Sequence, residues 1–343
     1  MRVTVVVPTN RPDRLAEFGR AWREAPWDDA IVVYDGPRSE CSLEWPDATI
    51  YCWDDYEELC GSDSWIFSRR DSACRSFGFL QAVRRGADCV ITLDDDCHPI
   101  ATADGPQFLE AHLHNLRRPP PWVSTVPGLR VRGFPYGEPD MDWDGPPVLV
   151  SMGLWCDVPD LGAVEALALK SALSGEHRSM LTRFRPAGGT RVASPHQFFP
   201  FCGMNFGFRR TALPALYFPR MGEGSRFGRF DDIWCGLLLQ RIFAQTGYLI
   251  TIGEPWVRHT QASDAMENLV KEAPGIAAHE QYWRILAALR IEGDTLPACA
   301  RSAAENLELQ KDVFLAEWGR ALRAWLSLCE KVMVDPEPVS GSH

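Results

Sequence analysis

The sequence contains no Cys-x-x-Cys pair, no Gly-x-Gly-x-x-Gly turn, and no apolar run approaching the ~20 residues of a membrane span. The missing cysteine pairs exclude a zinc ribbon and a redox dithiol, although eleven cysteines are present. Their odd number, with no secretory leader before the short run Val3 to Val7, points to reduced thiols in a cytoplasmic protein. The missing glycine turn argues against a flavin. The nearest pattern, Gly222-Glu223-Gly224, has its next glycine at Gly228, one position too late. Positive charge is also short. The 35 Lys and Arg are outnumbered by 46 Asp and Glu, and a net charge of −11 argues against nucleic acid as a partner. An anionic ligand would need local compensation, for which a divalent cation is the obvious candidate. Neither an internal repeat nor a Pro- or Gly-rich linker divides the chain.

What is present is the composition of a globular protein with a full core: 45% hydrophobic residues, 24% charged, and 13 Trp. The first third alternates between strand and helix patterns. The β-branched runs 3–8 and 30–37, with a third at 48–55, are separated by helical spacing over 11–25. A second helical stretch, 71–87, carries a stripe through Phe77, Leu80 and Val83 and leads into "CVITLDDDC" at 89–97. Continuous apolar strands between helices predict a parallel sheet covered on both faces. "WVSTVPG", "VLVSMGLW" and "MNFGFRR" add strands of a mixed sheet. The polar, basic stretch 171–197 reads either as a loop closing over an anionic ligand or as a solvated connector. The expected division is a catalytic domain over 1–276, a helical extension over 277–334 with Leu307, Val313, Phe314, Leu322, Trp325 and Leu326 on one stripe, and a disordered tail over 335–343.

In a parallel sheet, ligands gather beyond the carboxyl ends of the strands. Four such ends stand out: Pro8-Thr9-Asn10-Arg11, Asp35-Gly36, Asp54-Asp55 and Asp94-Asp95-Asp96. Three adjacent carboxylates repel one another and call for a cation or strong donors. Asp94 and Asp96 can offer oxygens to one hard divalent ion, which would hold a diphosphate. An acidic turn following a strand is the plainer alternative. Asp35 is placed to meet a base or ribose, and Arg11 and Arg75 to meet phosphates. Asp231 and Asp232 begin a helix, where capping is the modest explanation. His259 would complete a carboxylate–imidazole metal site.

Several segments, in order, resemble the reversibly glycosylated polypeptides, the plant UDP-arabinopyranose mutases: "SACRSFGF", "ITLDDDC", "VRGFPY", "GLW", "FCGMNFGF" and "ALYFPRMGEGSRFGRFDDIWCG". The likeness runs from about Val3 to about Lys271. It implies a GT-A-like (Rossmann-like) α/β fold, a mixed and largely parallel sheet flanked by helices. It also implies a divalent metal, Mn2+ before Mg2+, and a nucleotide-diphosphate sugar whose pyranose and furanose rings are interconverted. By position, Asp94 to Asp96 match the metal and nucleotide motif, with Asp94 and Asp95 on the nucleotide and Asp94, Asp96 and His259 on the metal. Arg132, in "VRGFPY", matches the arginine that becomes glycosylated. Asp231 and Asp232 are candidates for steering hydroxyl protons. Identity is weakest in the base-contacting region, so uridine is not implied. The Ala- and Arg-rich style suggests a bacterial relative resembling GDP-fucopyranose mutases, making GDP-L-fucose the expected substrate. The alternatives are UDP-arabinopyranose, a GT-A glycosyltransferase acting on an acceptor, and a non-catalytic nucleotide-sugar-binding subunit. A homo-oligomer is compatible with all of these.

Overall fold

A computed structural model describes residues 1–43, 45–100, 105–117, 145–158, 160–172, 189–194, 197–260 and 264–334. Its centre is the parallel block foreseen in the sequence. Strand β1 (Val3–Thr9) pairs in parallel with β2 (Asp29–Tyr34) and with β4 (Cys89–Leu93), and β2 pairs with β3 (Ala48–Tyr51). Beyond β4 the direction changes. Strand β8 (Asn205–Arg209) runs antiparallel to both β4 and β6 (Val148–Asp157), while β6 and β9 (Leu249–His259) are parallel. The short strands β5 (Cys97–Pro99) and β7 (Arg191–Val192) both pair antiparallel with β9. Among the described residues the result is a nine-stranded sheet, ordered β3-β2-β1-β4-β8-β6-β9-β5 with β7 on β9. This is the expected α/β class, with a mixed sheet flanked by helices.

Alternation along the strands builds two apolar layers. Val3, Val5, Val7, Val32 and Ile91 face helices α1 (Pro12–Ala21) and α4 (Gly105–Arg117). Val6, Ile31, Val33 and Val90 face the other way, toward α3 (Arg75–Arg84), α6 (Asp231–Thr246), α8 (Leu296–Glu308) and α9 (Val313–Val334). Helix α3 lies between the sheet and the C-terminal helices. It is therefore buried on every side from Arg75 to Val83 rather than along one stripe. A continuous core joins the C-terminal helices to the sheet, and α7 (Ala265–Ala288) runs through the boundary drawn at residue 276.

Local differences from the sequence reading have simple causes. The third strand ends at Tyr51, and Asp54 and Asp55 lie in the first turn of α2 (Trp53–Cys60), where Asp55 accepts from the Cys52 N–H at 2.6 Å. The helical run 305–332 is broken between α8 and α9, where Asp312 accepts from the N–H groups of Phe314 and Leu315. Val313 then opens α9 76% exposed, outside the expected stripe. Helix α4 and α5 (Ala163–Ala172) were not foreseen. Within α4, His112 bonds to Ser151 and Asn205 at 2.9 and 3.0 Å, and burial lowers its pKa to about 4, so it locks helix to sheet as a neutral ring. "WVSTVPG", most of 171–197 and the tail 335–343 fall outside the described residues.

Gly78 sets how closely α3 approaches the sheet. A Cβ there would come within 2.5 Å of Val6 Cγ1 and 2.8 Å of Val33 Cγ2. Replacing Gly78 with Ala should therefore overpack this layer and cost about 1–3 kcal/mol, read as a lower urea midpoint in far-UV circular dichroism.

Candidate active site

The topology collects strand ends at one rim. Strands β1, β4, β6 and β9 all finish there, β8 begins there after Gly203 and Met204, and α6 starts beside it at Asp231. Asp94, Asp95 and Asp96 form the turn between β4 and β5. The Asp94 N–H donates to the Met204 carbonyl at 3.1 Å, and the Thr260 N–H and hydroxyl both donate to the Asp96 carbonyl, at 3.2 and 3.1 Å. Neighbouring strands thus fix the backbone of the acidic turn.

The three carboxylates divide between two arginines, with Asp95 and Asp96 sharing Arg11. Asp94 is bound at 2.6 Å by Arg75, whose side chain is 3% exposed. That guanidinium also donates to the carbonyls of Ser72 and Gly203 and lies 5.8 Å over the Phe218 ring. Arg75 therefore reaches the rim as an interior strut through Asp94, not as an open phosphate donor. Asp95 turns inward, where Thr9 and Arg11 both donate to it. Burial raises its carboxyl pKa, against the pull of those two donors. Asp96 Oδ2 accepts from Arg11 at 3.2 Å, while Oδ1 faces His259 Nε2 at 3.8 Å. Burial raises the Asp96 carboxyl, as does Asp94, opposed by His259 and Arg11.

His259 Nδ1 lies 3.0 Å from the Val158 carbonyl. A carbonyl can only accept, so Nδ1 carries a hydrogen and Nε2 is turned toward Asp96. Two electron-pair donors facing each other are an arrangement that a proton or a cation completes. No three His, Cys, Asp or Glu side chains gather in metal-holding geometry among the described residues, because Asp94 is turned to Arg75. Asp96 and His259 remain; a hard divalent cation is commonly held through one or two carboxylates, here Asp96, with phosphate oxygens and water completing its shell, and His259 adds an imidazole beside it. The residues present fit such an ion.

At the β2 end, Asp35 accepts from Trp53 Nε1 at 2.9 Å and the Arg70 N–H at 2.8 Å; burial raises its pKa against these bonds. Gly36 has no room for a side chain, since its Cβ would lie 2.6 Å from the Tyr34 ring. Pro8 is buried within β1, and Asn10 is exposed just past its end. On the opposite side, Asp232 accepts from the Gly203 N–H at 2.7 Å and that of Ile233 at 2.8 Å. Burial, then Asp231, push its pKa up to about 7. Neither Asp231 nor Asp232 is the helix cap. That position belongs to Phe230, at φ 85° and without a side-chain cap. Asp71 belongs to this group and was missed in the sequence, where "RRDSACR" reads as the start of a helix; its side chain does accept from the Ala73 N–H. Arg132 lies outside the described residues. A cleft of about 180 Å³ lies elsewhere, between the loop 220–226 and α9.

Fold and rim together define a mixed α/β protein whose strand ends present a constrained acidic turn, an imidazole and an exposed guanidinium. Comparison gives the family. The chain belongs to the reversibly glycosylated polypeptides, whose family model matches residues 1–334. It is similar to "Probable UDP-arabinopyranose mutase 1" of Pisum sativum, 32% identical over 90% of this chain and 82% of the relative. It is also similar to "UDP-arabinopyranose mutase 1" of Oryza sativa subsp. japonica, 30% identical over 96% and 90%, and to "UDP-arabinopyranose mutase 3" of Arabidopsis thaliana, 31% identical over 90% and 82%. Among solved structures, mannosyl-3-phosphoglycerate synthase of Rubrobacter xylanophilus aligns with TM-score 0.38 and 12% identity, over 85% of this chain and 77% of that one. No described helix is long and apolar enough to cross a membrane.

Two outcomes follow from the rim. Arg75→Met should cost about 3 kcal/mol, the lower end for breaking a buried ion pair because Asp94 keeps 32% exposure; the urea midpoint measures it. For Asp232 the sign is reversed from an ordinary carboxylate. Its pKa of about 7 in the fold exceeds the unfolded value of about 3.9, so the native state holds the extra proton between those limits. Stability therefore falls as pH rises from about 4 to about 7, and the loss is complete above that. The Asp232→Asn protein should lose less of its urea midpoint between pH 5 and pH 8 than the parent does.

Proposed function

We propose that this protein is a divalent-metal-dependent nucleotide-sugar mutase that interconverts the pyranose and furanose rings of UDP-arabinose. The observation that carries the reading is the Asp96–His259 pair, facing across 3.8 Å at the strand-end rim, in a chain of this family. The relatives' names favour the UDP-arabinopyranose alternative over the GDP-L-fucose expected from the sequence.

Ring contraction requires the anomeric carbon to part from the diphosphate, the ring to open and reclose on another hydroxyl, and the nucleotide to be restored. Asp96 and His259 would hold the ion, with phosphate oxygens and water completing its shell. When bound, it supplies the positive charge that stabilises the departing diphosphate. Arg11, 43% exposed and anchored on Asp95 and Asp96, is placed to bind the same phosphates. Asp35 is assigned to the base or ribose, beside Gly36. Arg132 is assigned to the anomeric carbon or the diphosphate, on the strength of "VRGFPY". Holding both fragments within one closed site is what lets the sugar rejoin its nucleotide.

The test is incubation of the purified full chain and Mn2+ with UDP-arabinopyranose or GDP-L-fucopyranose, with no acceptor added, followed by anion-exchange chromatography and mass spectrometry. A new peak of unchanged mass is expected from the UDP sugar, lost on chelation and restored by Mn2+. Free UDP without an isomer would overturn the mutase in favour of a transferase. Conversion of the GDP sugar alone would overturn the choice of substrate.

A further inference from the structure

Only three non-glycine residues among those described adopt a left-handed backbone: Arg70 at φ 60°, Asp157 at φ 72° and Phe230 at φ 85°. Such conformations are strained and persist where the surrounding fold over-determines them, often at reactive sites. All three lie at the same rim. Asp157 pairs in register with His259. The other two each stand directly before an aspartate, Arg70 before Asp71 and Phe230 before Asp231.

These two aspartates come from distant parts of the chain and meet across Ser72, whose hydroxyl donates to Asp231 Oδ2 at 3.4 Å. Neither takes part in a described ion pair, and Arg75, the nearest buried cation by its influence on Asp231, is bound to Asp94. We propose that Asp71 and Asp231 form an acid–base pair in which Asp231 takes a proton from a sugar hydroxyl while Asp71 delivers one. This deepens the mutase reading and rests on it.

The environments separate the two roles. Burial raises the pKa of both, but the strongest charge on Asp71 is the repelling Asp231, whereas the strongest on Asp231 is the attracting Arg75. The shared proton accordingly sits on Asp71 and leaves Asp231 ionised. The other groups acting on the pair are Asp35, Asp94, Arg229 and the Cys74 and Cys235 thiols, with Asp232 adjacent in the helix.

The chemistry balances. Once the anomeric carbon has passed from the diphosphate to water, which keeps one hydrogen on the new hydroxyl and gives the other to the departing diphosphate, Asp231 removes that hydroxyl's proton. The bond from the anomeric carbon to the ring oxygen then breaks, and Asp71 protonates the ring oxygen. The aldehyde so formed is closed by another hydroxyl: that hydroxyl gives its proton to a carboxylate of the pair, and the aldehyde oxygen receives one. After each step the pair again holds one proton, and restoring the diphosphate ester returns the water.

Asp71→Asn keeps an oxygen to accept from the Ala73 N–H but cannot ionise. Its kcat should fall by about a hundredfold or more, with KM and UDP affinity within about twofold of the parent. The alkaline limb of the parent's pH–rate profile should be absent. A profile that keeps this limb, or a loss of UDP affinity matching the loss of kcat, would overturn the proposal. Carboxyl 13C NMR titration without substrate separates this from the mutase reading. Beyond the carboxyl resonance that Asp232→Asn removes, a second one titrating well above the ordinary carboxylate range should be present in the parent and missing in Asp71→Asn. Its absence in the parent sinks the pair even if the isomerisation occurs. Its presence in a chain that isomerises no sugar sinks the mutase reading instead.

Discussion

The rim depends on the burial of an arginine. Arg75 sits inside the protein with its guanidinium spread over Asp94, two backbone carbonyls and the face of Phe218. A guanidinium so placed has lost its water and must be surrounded by acceptors. It is what allows Asp94, Asp231 and Asp232 to be packed within one small region of the fold. Without a cation at this point, like charges would have to take up protons or move apart. Arg11 plays the matching part at the surface, holding Asp95 and Asp96 from the solvent side. The acidic triplet is thus three carboxylates with separate duties. One balances an interior charge, one ties the turn to β1, and one faces the histidine.

The direction of the strands makes this possible. A parallel block brings the ends of β1, β2 and β4 to one edge, and the antiparallel β8 returns the chain so that β6 and β9 can finish at that edge too. His259 lies 163 positions beyond Asp96 in sequence, yet it stands opposite Cys97 in the sheet register. Backbone hydrogen bonds, not side-chain flexibility, set the separation of carboxylate and imidazole. That suits a site where charge must be stabilised without reorganisation.

The left-handed residues at the rim fit the same picture. Strained backbone is tolerated next to Asp71 and Asp231 because α3, α6 and the C-terminal helices pack around them as one core. Family membership, the acidic turn and the buried acids are the basis of the sugar chemistry proposed for this edge of the sheet.

The sequence by itself determined the strands of the parallel block and the presence of an acidic rim. Runs such as "VTVVVP" and "CVITL" are too apolar for any place but a covered sheet, and strand direction then puts Asp94 to Asp96 at its carboxyl edge. The ordered motifs carried the family. What each acid does was decided only by tertiary structure. Asp54 and Asp55 looked like a strand end and became a helix start, since the turn type depends on Trp53 donating its backbone N–H to the Gly36 carbonyl and its indole N–H to Asp35. Arg75 was expected to meet phosphates and is buried instead, because α3 is enclosed by helices hundreds of residues later. Asp71 carried no signal of its own, as its neighbour Asp231 is supplied by a segment 160 positions away. Local pattern fixes which face of an element is apolar. The protonation and partner of a buried charge depend on what the rest of the chain places against it.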